Sequence, residues 1–492
     1  MSPDSEPTRV HSRRRFLQVL AALSSGAGGL LAGCVNLLKS TRQQRPFPDL
    51  ACTPPPEGDE FDYVVVGSGA GGGPLASRLA LAGFRVLLLE AGGDDDSYDY
   101  QVPAFHPRAS EDERMAWNFY VRHYANDARQ NRDEKYRPDK GGVLYPRSST
   151  LGGCTAHNAM ILIYPHNSDW DHVAEVTGDD SWRAENMRRY FQRLERCGYD
   201  DSSDTGSRHG FNGWLATNVA DPMLMVRDAS LKKLFAAAAG ESVEARNPSL
   251  PQTVLKIHRH LDPNDWRLVQ SSTEGICITP LSTYQGRRNG SREFLRHASE
   301  ACEGNLEIRT HALASRVLLD EHNRAIGVEY LSGRSLYRAD PRCRDDAPAT
   351  RSRAYARREV ILCGGAFNTP QLLKLSGIGP GQELAAHGIT PRVDLAGVGE
   401  NLQDRYEVCV VTRMKDTFSS ISGMTFRPPE PGEEPDPLFE AWRRGEGPYT
   451  TNGAVVSMIT RSSERQPEPD LFLFGLLGNF RGYYPGYSED IA

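Results

Sequence analysis

The apolar positions of the chain change their spacing several times, and each change marks an element. Phe61-Asp62-Tyr63-Val64-Val65-Val66 is a short β-branched run that predicts a buried strand. It runs straight into Gly67-Ser68-Gly69-Ala70-Gly71-Gly72, and Leu75–Ala82 has helical composition. Val86-Leu87-Leu88-Leu89 is a second apolar strand, closed by Glu90. Farther along, Trp182–Tyr199 is a charged stretch with helical patterning, and Leu231–Ala239 predicts another helix. Leu306–Arg309 and Ala325–Tyr330 read as strands. Asp340–Arg358, rich in Arg, Asp, Ala and Pro, reads as a solvated loop, and Glu359–Cys363 as a central strand. Thr369-Pro370 has the form of an N-cap followed by proline at the first helical position. His387 reads as the end of a helix capped by Gly388. Ahead of all these lies an Ala/Gly/Leu-rich run from Phe16 to Gly33, behind Arg13-Arg14-Arg15.

Composition narrows the class. The 492 residues are 39% hydrophobic and 25% charged, near globular averages, which excludes wholesale disorder and collagen-like structure. Length alone suggests about three domains at roughly 150 residues each. A formal charge of -7 without a long basic tract leaves a nucleic-acid partner no electrostatic footing. The 9 cysteines, an odd number, are too sparse for a disulfide scaffold, and no metal site is assigned.

The segment Ser12-Arg13-Arg14-Arg15-Phe16-Leu17 and the weakly apolar run behind it resemble the twin-arginine export signal of bacteria. Leu31-Ala32-Gly33-Cys34 resembles a lipobox, in which the cysteine becomes lipidated. An ordinary transmembrane anchor is the alternative, since the run barely reaches spanning length. The resemblance implies a signal over residues 1–33, lipid on Cys34, a polar tether over 34–57, and an extracytoplasmic or periplasmic protein held on a membrane.

The strand, glycines, helix, strand and acid of residues 61–90 form a βαβ unit with G-x-G-x-x-G in the expected place. Gly67 permits a tight turn, Gly69 lets the backbone approach a pyrophosphate, and Gly72 lets helix and strand pack closely. Glu90 stands where an acid accepts ribose hydroxyls, which argues against a 2′-phosphorylated dinucleotide. The motif alone does not separate FAD from NAD.

Two later segments bear on that choice. Pro146–Met160, containing Gly152-Gly153-Cys154-Thr155-Ala156-His157-Asn158, resembles the first signature of the glucose–methanol–choline (GMC) oxidoreductases. Gly365-Ala366-Phe367-Asn368-Thr369-Pro370-Gln371, continued to Gly379, resembles their second, and Gly397–Asp404 is similar to a further family motif. The resemblance covers roughly residues 60 to 490. It implies an α/β fold: a Rossmann-like FAD-binding domain (58–175 and 291–408) interleaved with an α+β substrate domain on an antiparallel sheet (176–290 and 409–492, incomplete). It also implies FAD, with Gly67, Gly69 and Gly72 on the pyrophosphate, Glu90 on the ribose, and Gly152, Gly153 and Asn158 against the flavin. The strand around Val317 would place a backbone group on adenine, and Gly365 would head the second signature. In the choline oxidase branch the histidine in the context of His157 is bonded to the flavin. A lining role without a bond, or simple packing, are the alternatives for His157. Cys154 reads as a small buried residue rather than a redox thiol, and Arg405 stands where the family usually has histidine.

Such a flavoenzyme oxidises an alcohol to a carbonyl by hydride transfer to flavin. The family's base is a carboxyl-terminal histidine. The last of the 13 histidines is His387, so that base is expected beyond Ala492 and the chain reads as shortened or split. Three readings are open: an alcohol dehydrogenase passing electrons to a quinone or cytochrome, an oxidase using oxygen, and a flavin-binding protein without activity of its own.

Overall fold

The computed structural model describes residues 47–54, 60–221, 224, 227–234 and 262–491. The signal and Cys34 lie outside them, as do most of the tether and the second half of the helix expected over Leu231–Ala239. Residues 231–234 of that stretch are helical, in a helix that starts at residue 229. The chain divides into two compact units, each assembled from separated segments.

One unit comprises Asp49–Ala159, Arg288–Val411 and residues 479–491. Its centre is a six-stranded sheet of β1 (Phe61–Val66), β2 (Val86–Leu89), β3 (Leu306–Arg309), β4 (Ala312–Leu319), β5 (Ala325–Ser332) and β6 (Thr350–Leu362), in the order β3-β2-β1-β6-β5-β4. The four strands from β3 to β6 pair in parallel, while β6-β5-β4 are antiparallel. Val64, Val65, Val86, Leu87 and Leu88 are fully buried, as expected of a strand covered on both faces. Helix α1 (Gly72–Leu81) packs Ala76 and Ala80 onto one face with Leu295 and Ala298 of α2 (Ser291–Ala301). The other face buries Val64, Leu87, Val317 and Val328 with Leu372 of α3 (Gly365–Leu375).

The other unit comprises Met160–Arg287 and Thr412–Gly478, with residues 47–48. It holds a three-stranded antiparallel sheet, Leu471–Leu476 beside Ala454–Thr460 beside Gly275–Cys277. Helices Asn167–Thr177, Ala184–Leu194, Trp266–Gln270 and Pro437–Arg443 and the short parallel pair Glu195–Cys197 and Leu215–Thr217 belong to it.

Several expectations need correction. The first crossing between units falls at Ala159/Met160 rather than after residue 175, because residues 161 and 162 pair with Leu281 and Pro280. Residues 479–491 group with the dinucleotide unit rather than the substrate unit. There Tyr487 is buried with its hydroxyl 2.5 Å from Ser110 Oγ, and the Ser488 N–H donates to Glu111. Thr350–Arg358 is strand, not loop. Glu329 on β5 draws Arg351 and Arg353 across the ladder and Ala354 is buried, so pairing outweighs the charged composition. Pro370 lies inside α3 rather than at its start, because the helix begins five residues earlier, at Gly365. Proline has no N–H, so Ala366 lacks its usual helical donor there. The helix end at His387, with Gly388 at φ +70°, is as expected.

Candidate functional site

The site is built from loops at the carboxyl ends of the parallel strands, where open α/β sheets bind ligands. β1 delivers Gly67, whose N–H donates to Leu89 O at 2.8 Å. β2 delivers Glu90, and β6 delivers Gly364 and Gly365. The turn after β1 admits only glycine at its two ends. Gly67 has φ +98°, and a Cβ there would stand 2.3 Å from Cys363 O. A Cβ on Gly72 would stand 1.9 Å from Gly67 O. Gly69, between them, meets nothing closer than Gly153 Cα at 3.8 Å. Its half-buried but sterically open backbone suits close approach by a phosphate at the amino end of α1.

Glu90 is buried and organises this loop. Its carboxylate accepts from Ser68 N at 3.1 Å, from Ser68 Oγ at 2.5 Å and from Gly92 N at 2.9 Å. Burial pushes its pKa up, against the pull of those donors. Ser68 Oγ in turn accepts from Gly152 N at 3.0 Å, joining the dinucleotide loop to the loop of Gly152 and Gly153. A Cβ on Gly153 would lie 2.5 Å from Gly69 Cα, so these two glycine loops touch backbone to backbone. Ser291, heading α2, donates from Oγ to Ser68 O at 2.8 Å. Gly67, Gly69, Gly72, Glu90, Gly152 and Gly153 are thus brought together.

His157 and Asn158 come directly after the short helix Gly153–Ala156. His157 is buried, and its Nε2 has no hydrogen-bond partner among the described residues. Burial, with Arg147, Arg288 and His106 nearby, lowers its pKa to about 3, so the ring is neutral. The Asn158 carboxamide oxygen accepts from Arg288 Nη1 at 2.9 Å. Arg288 is 3% exposed, and burial pulls its pKa down to about 10. Cys154 is a free, half-buried thiol. Gly365 is exposed at the head of α3 with φ +86°.

Val317 is not brought to this cradle as expected. Its N–H donates to Ser376 Oγ at 2.8 Å and its side chain is in the core beneath the sheet. β4 meets the cradle at its start instead, where Ala312 N donates to Glu90 O at 2.9 Å. Sequence reasoning also missed Ser68, Ser291 and Arg288. The serines carry no signal beyond standing in the motif or at a helix start, and Arg288 sits in an Arg-Arg pair typical of surfaces.

The residues present fit a dinucleotide: two glycine loops meeting at a helix amino terminus, an acid at the second strand, and a buried imidazole nitrogen left without a protein partner among the described residues. A family model described as GMC oxidoreductase matches residues 27–407. The chain belongs to the GMC oxidoreductase family. Among curated relatives of this GMC chain, the oxygen-dependent choline dehydrogenase of Burkholderia ambifaria is 31% identical over 418 residues, 84% of this chain and 63% of the relative. That of Yersinia pseudotuberculosis is 33% identical over 76% of this chain and 58% of the relative. The chain therefore spans about three fifths of the length of these relatives. Among solved structures, a formate oxidase from Aspergillus oryzae matches with TM-score 0.62 and 24% identity, over 82% of this chain and 62% of that one. Pyridoxine 4-oxidase from Mesorbium loti matches with TM-score 0.51 and 23% identity, over 68% and 56%. These likenesses bear on the fold, which is the Rossmann-like α/β fold with an added antiparallel sheet.

Proposed function

We propose that this chain is an FAD-dependent oxidoreductase that oxidises an alcohol to a carbonyl. The observation that carries the reading is the cradle of Gly67, Gly69, Gly72, Glu90, Gly152 and Gly153 at the strand ends. FAD is the cofactor; when bound, its flavin accepts the hydride and holds the electron pair. The chain's own residues bind and orient. Gly67 to Gly72 seat the pyrophosphate, Glu90 and Ser68 order the loop beside the ribose, and Asn158 offers a carboxamide to the flavin edge. Neutral His157, with Nε2 open, is suited to a bond with the flavin.

The choline dehydrogenase relatives make a cationic primary alcohol the first substrate class to try. Export with a lipid anchor on Cys34, and electron delivery to a quinone or cytochrome, belong to the same reading. Its support in the fold is the Cys52–Cys302 disulfide, a bond at home in an oxidising compartment. Among the described residues no helix is long and apolar enough to cross a membrane. The relatives' oxygen-dependent activity favours a second reading, an oxidase.

Purified protein is expected to be yellow. Colour that stays with the acid precipitate identifies a covalent flavin, and His157→Asn should release it. Anaerobic choline is expected to bleach the flavin, and oxygen uptake without a dye would select the oxidase. Colourless protein that takes up no added FAD would overturn the proposal. Bound flavin that no alcohol bleaches would reduce it to flavin binding.

A further inference from the structure

The dinucleotide unit carries a second concave site, a cavity of about 590 Å³ along the later half of β4. Arg316–Leu319 of β4 line it, with the end of α3, residues 376–377 and residues 388–390. Ala312, where β4 meets Glu90 at the cradle, stands four to seven residues earlier on the strand, roughly 13–23 Å at about 3.3 Å per residue. No residue of the cradle lines the cavity. Its volume falls within the range of about 300–1,000 Å³ usual for small-molecule sites.

The lining holds three cations and no acid: Arg316, Arg353 and Arg392 contribute to it, and none of its residues is Asp or Glu. Arg316 lies opposite Glu329 in the β4–β5 ladder, yet its side chain makes no hydrogen bond or ion pair among the described residues. Glu329 is taken instead by Arg351 at 3.0 Å and Arg353 at 3.3 Å. Arg392 is held by neutral acceptors, Asn323 Oδ1 at 2.9 Å and Asp320 O at 2.5 Å. One carboxylate therefore serves two of these guanidiniums, and Arg316 and Arg392 keep their charge uncompensated. Guanidinium N–H groups match the oxygens of a carboxylate or a phosphate. The rest of the lining is largely apolar. Leu319, Ile326 and Ile389 belong to it, as do Leu375, 45% exposed, and Tyr355, 55% exposed. Such surface gains from being covered by hydrocarbon.

We propose that this cavity binds an amphipathic organic anion, with a carboxylate or phosphate head on Arg316 and Arg392 and a hydrocarbon body against Leu319, Ile326, Leu375 and Ile389. The site is independent of the flavin reading, because it shares no residue with the cradle.

The test is isothermal titration calorimetry of the full-length protein with octanoate and octyl phosphate. Octanamide serves as the uncharged counterpart and acetate as the head alone. One anion per chain is expected, with octanamide and acetate silent at the same concentrations. Hexanoate, two CH₂ groups shorter, is expected to bind roughly tenfold more weakly than octanoate. R316E is expected to weaken the anion about tenfold or more. R193E makes the same charge change at an exposed position of the other unit and should leave binding unaltered. Octanoate and octyl phosphate that both fail to bind wild-type protein overturn the proposal. So does an anion that binds R316E as tightly as wild type, or octanamide that matches octanoate. Attachment to phosphatidylglycerol vesicles without binding of either soluble anion overturns it as well, since that is attraction to a charged surface rather than entry into a cavity. Should R316E fail to fold, as judged by its melting temperature, R316Q and R392Q are compared in the same way.

Discussion

Each unit contains a buried histidine, and the two are held in opposite states. His157, in the dinucleotide unit, has no carboxylate beside it among the described residues, and burial with two arginines nearby leaves it neutral. His209, in the other unit, has Nδ1 2.8 Å from Glu195 and Nε2 2.8 Å from Asp262. Burial opposes its charge too, but the Asp262 carboxylate, with Glu195, outweighs it and pushes the pKa up. Burial alone therefore does not set the protonation of a histidine; the partners do. The networks differ in completeness as well. Around His209, Glu195 also accepts from Gly210 N and Thr217 Oγ1, so every hydrogen-bonding atom of both side chains is used. Glu195, Cys197 and His209 lie close enough to hold a metal, yet their polar atoms already hold one another. Around His157 the bonds stop short, at Nε2 and at Arg288 Nη2. A closed polar network reads as structure, and an open one reads as a place for a ligand.

The largest test of that contrast is Gly72→Ala, which puts a Cβ 1.9 Å from Gly67 O. Flavin occupancy is expected to fall to near zero, read from the flavin-to-protein absorbance ratio. Gly71→Ala, where a Cβ meets nothing within 4 Å, is the control and should keep its flavin.

On the closed side, His209→Ala leaves Glu195 buried without its cation and is expected to cost about 3–5 kcal/mol in denaturant melts. If the network is structural, protein that remains folded keeps its flavin. A loss of flavin at unchanged stability would blur the distinction between the two units.

Third in size is the Cys52–Cys302 disulfide. It closes a separation of 250 residues and pins the segment whose Thr53 carbonyl accepts from Asn305 at 2.7 Å. Cys302→Ser is expected to cost about 2–4 kcal/mol. A reductant should lower the melting temperature of the wild type and leave the variant alone.

The smallest effect is the pH slope, and the two histidines give it opposite signs. For His209, the folded pKa lies above the unfolded value of about 6.5. Its contribution is whole below that value and shrinks as pH rises past it. For His157, the folded pKa of about 3 lies below the unfolded value, so its contribution is present above about 6.5 and shrinks as pH falls. Each slope is at most about 1.4 kcal/mol per pH unit. His209→Phe should flatten the alkaline limb of the melting curve only, and His157→Asn the acid limb only.

The strand-and-glycine part of this molecule was legible from its residues. β1 and β2 run over the positions their apolar spacing implies, and Gly67 and Gly72 stand where a Cβ would strike backbone. That legibility has a local cause. A tight turn, a helix amino terminus and a strand end are set by near neighbours in the chain, and glycine is demanded wherever a Cβ would strike backbone. Long-range pairing decided the rest. Thr350–Arg358 looks like a polar loop until Glu329 lies opposite it, and Pro370 looks like a helix start until Gly365 begins the helix earlier. Cys52 and Cys302, in an odd set of cysteines, have no reason to be paired until β3 lies beside β2. Arg288 is one more basic residue until folding buries it against the turn that carries Asn158. What the sequence determined by itself is the dinucleotide cradle and the family. Which buried charges are closed and which are left open was decided only by tertiary structure, because a hydrogen-bond partner far along the chain leaves no trace in local spacing.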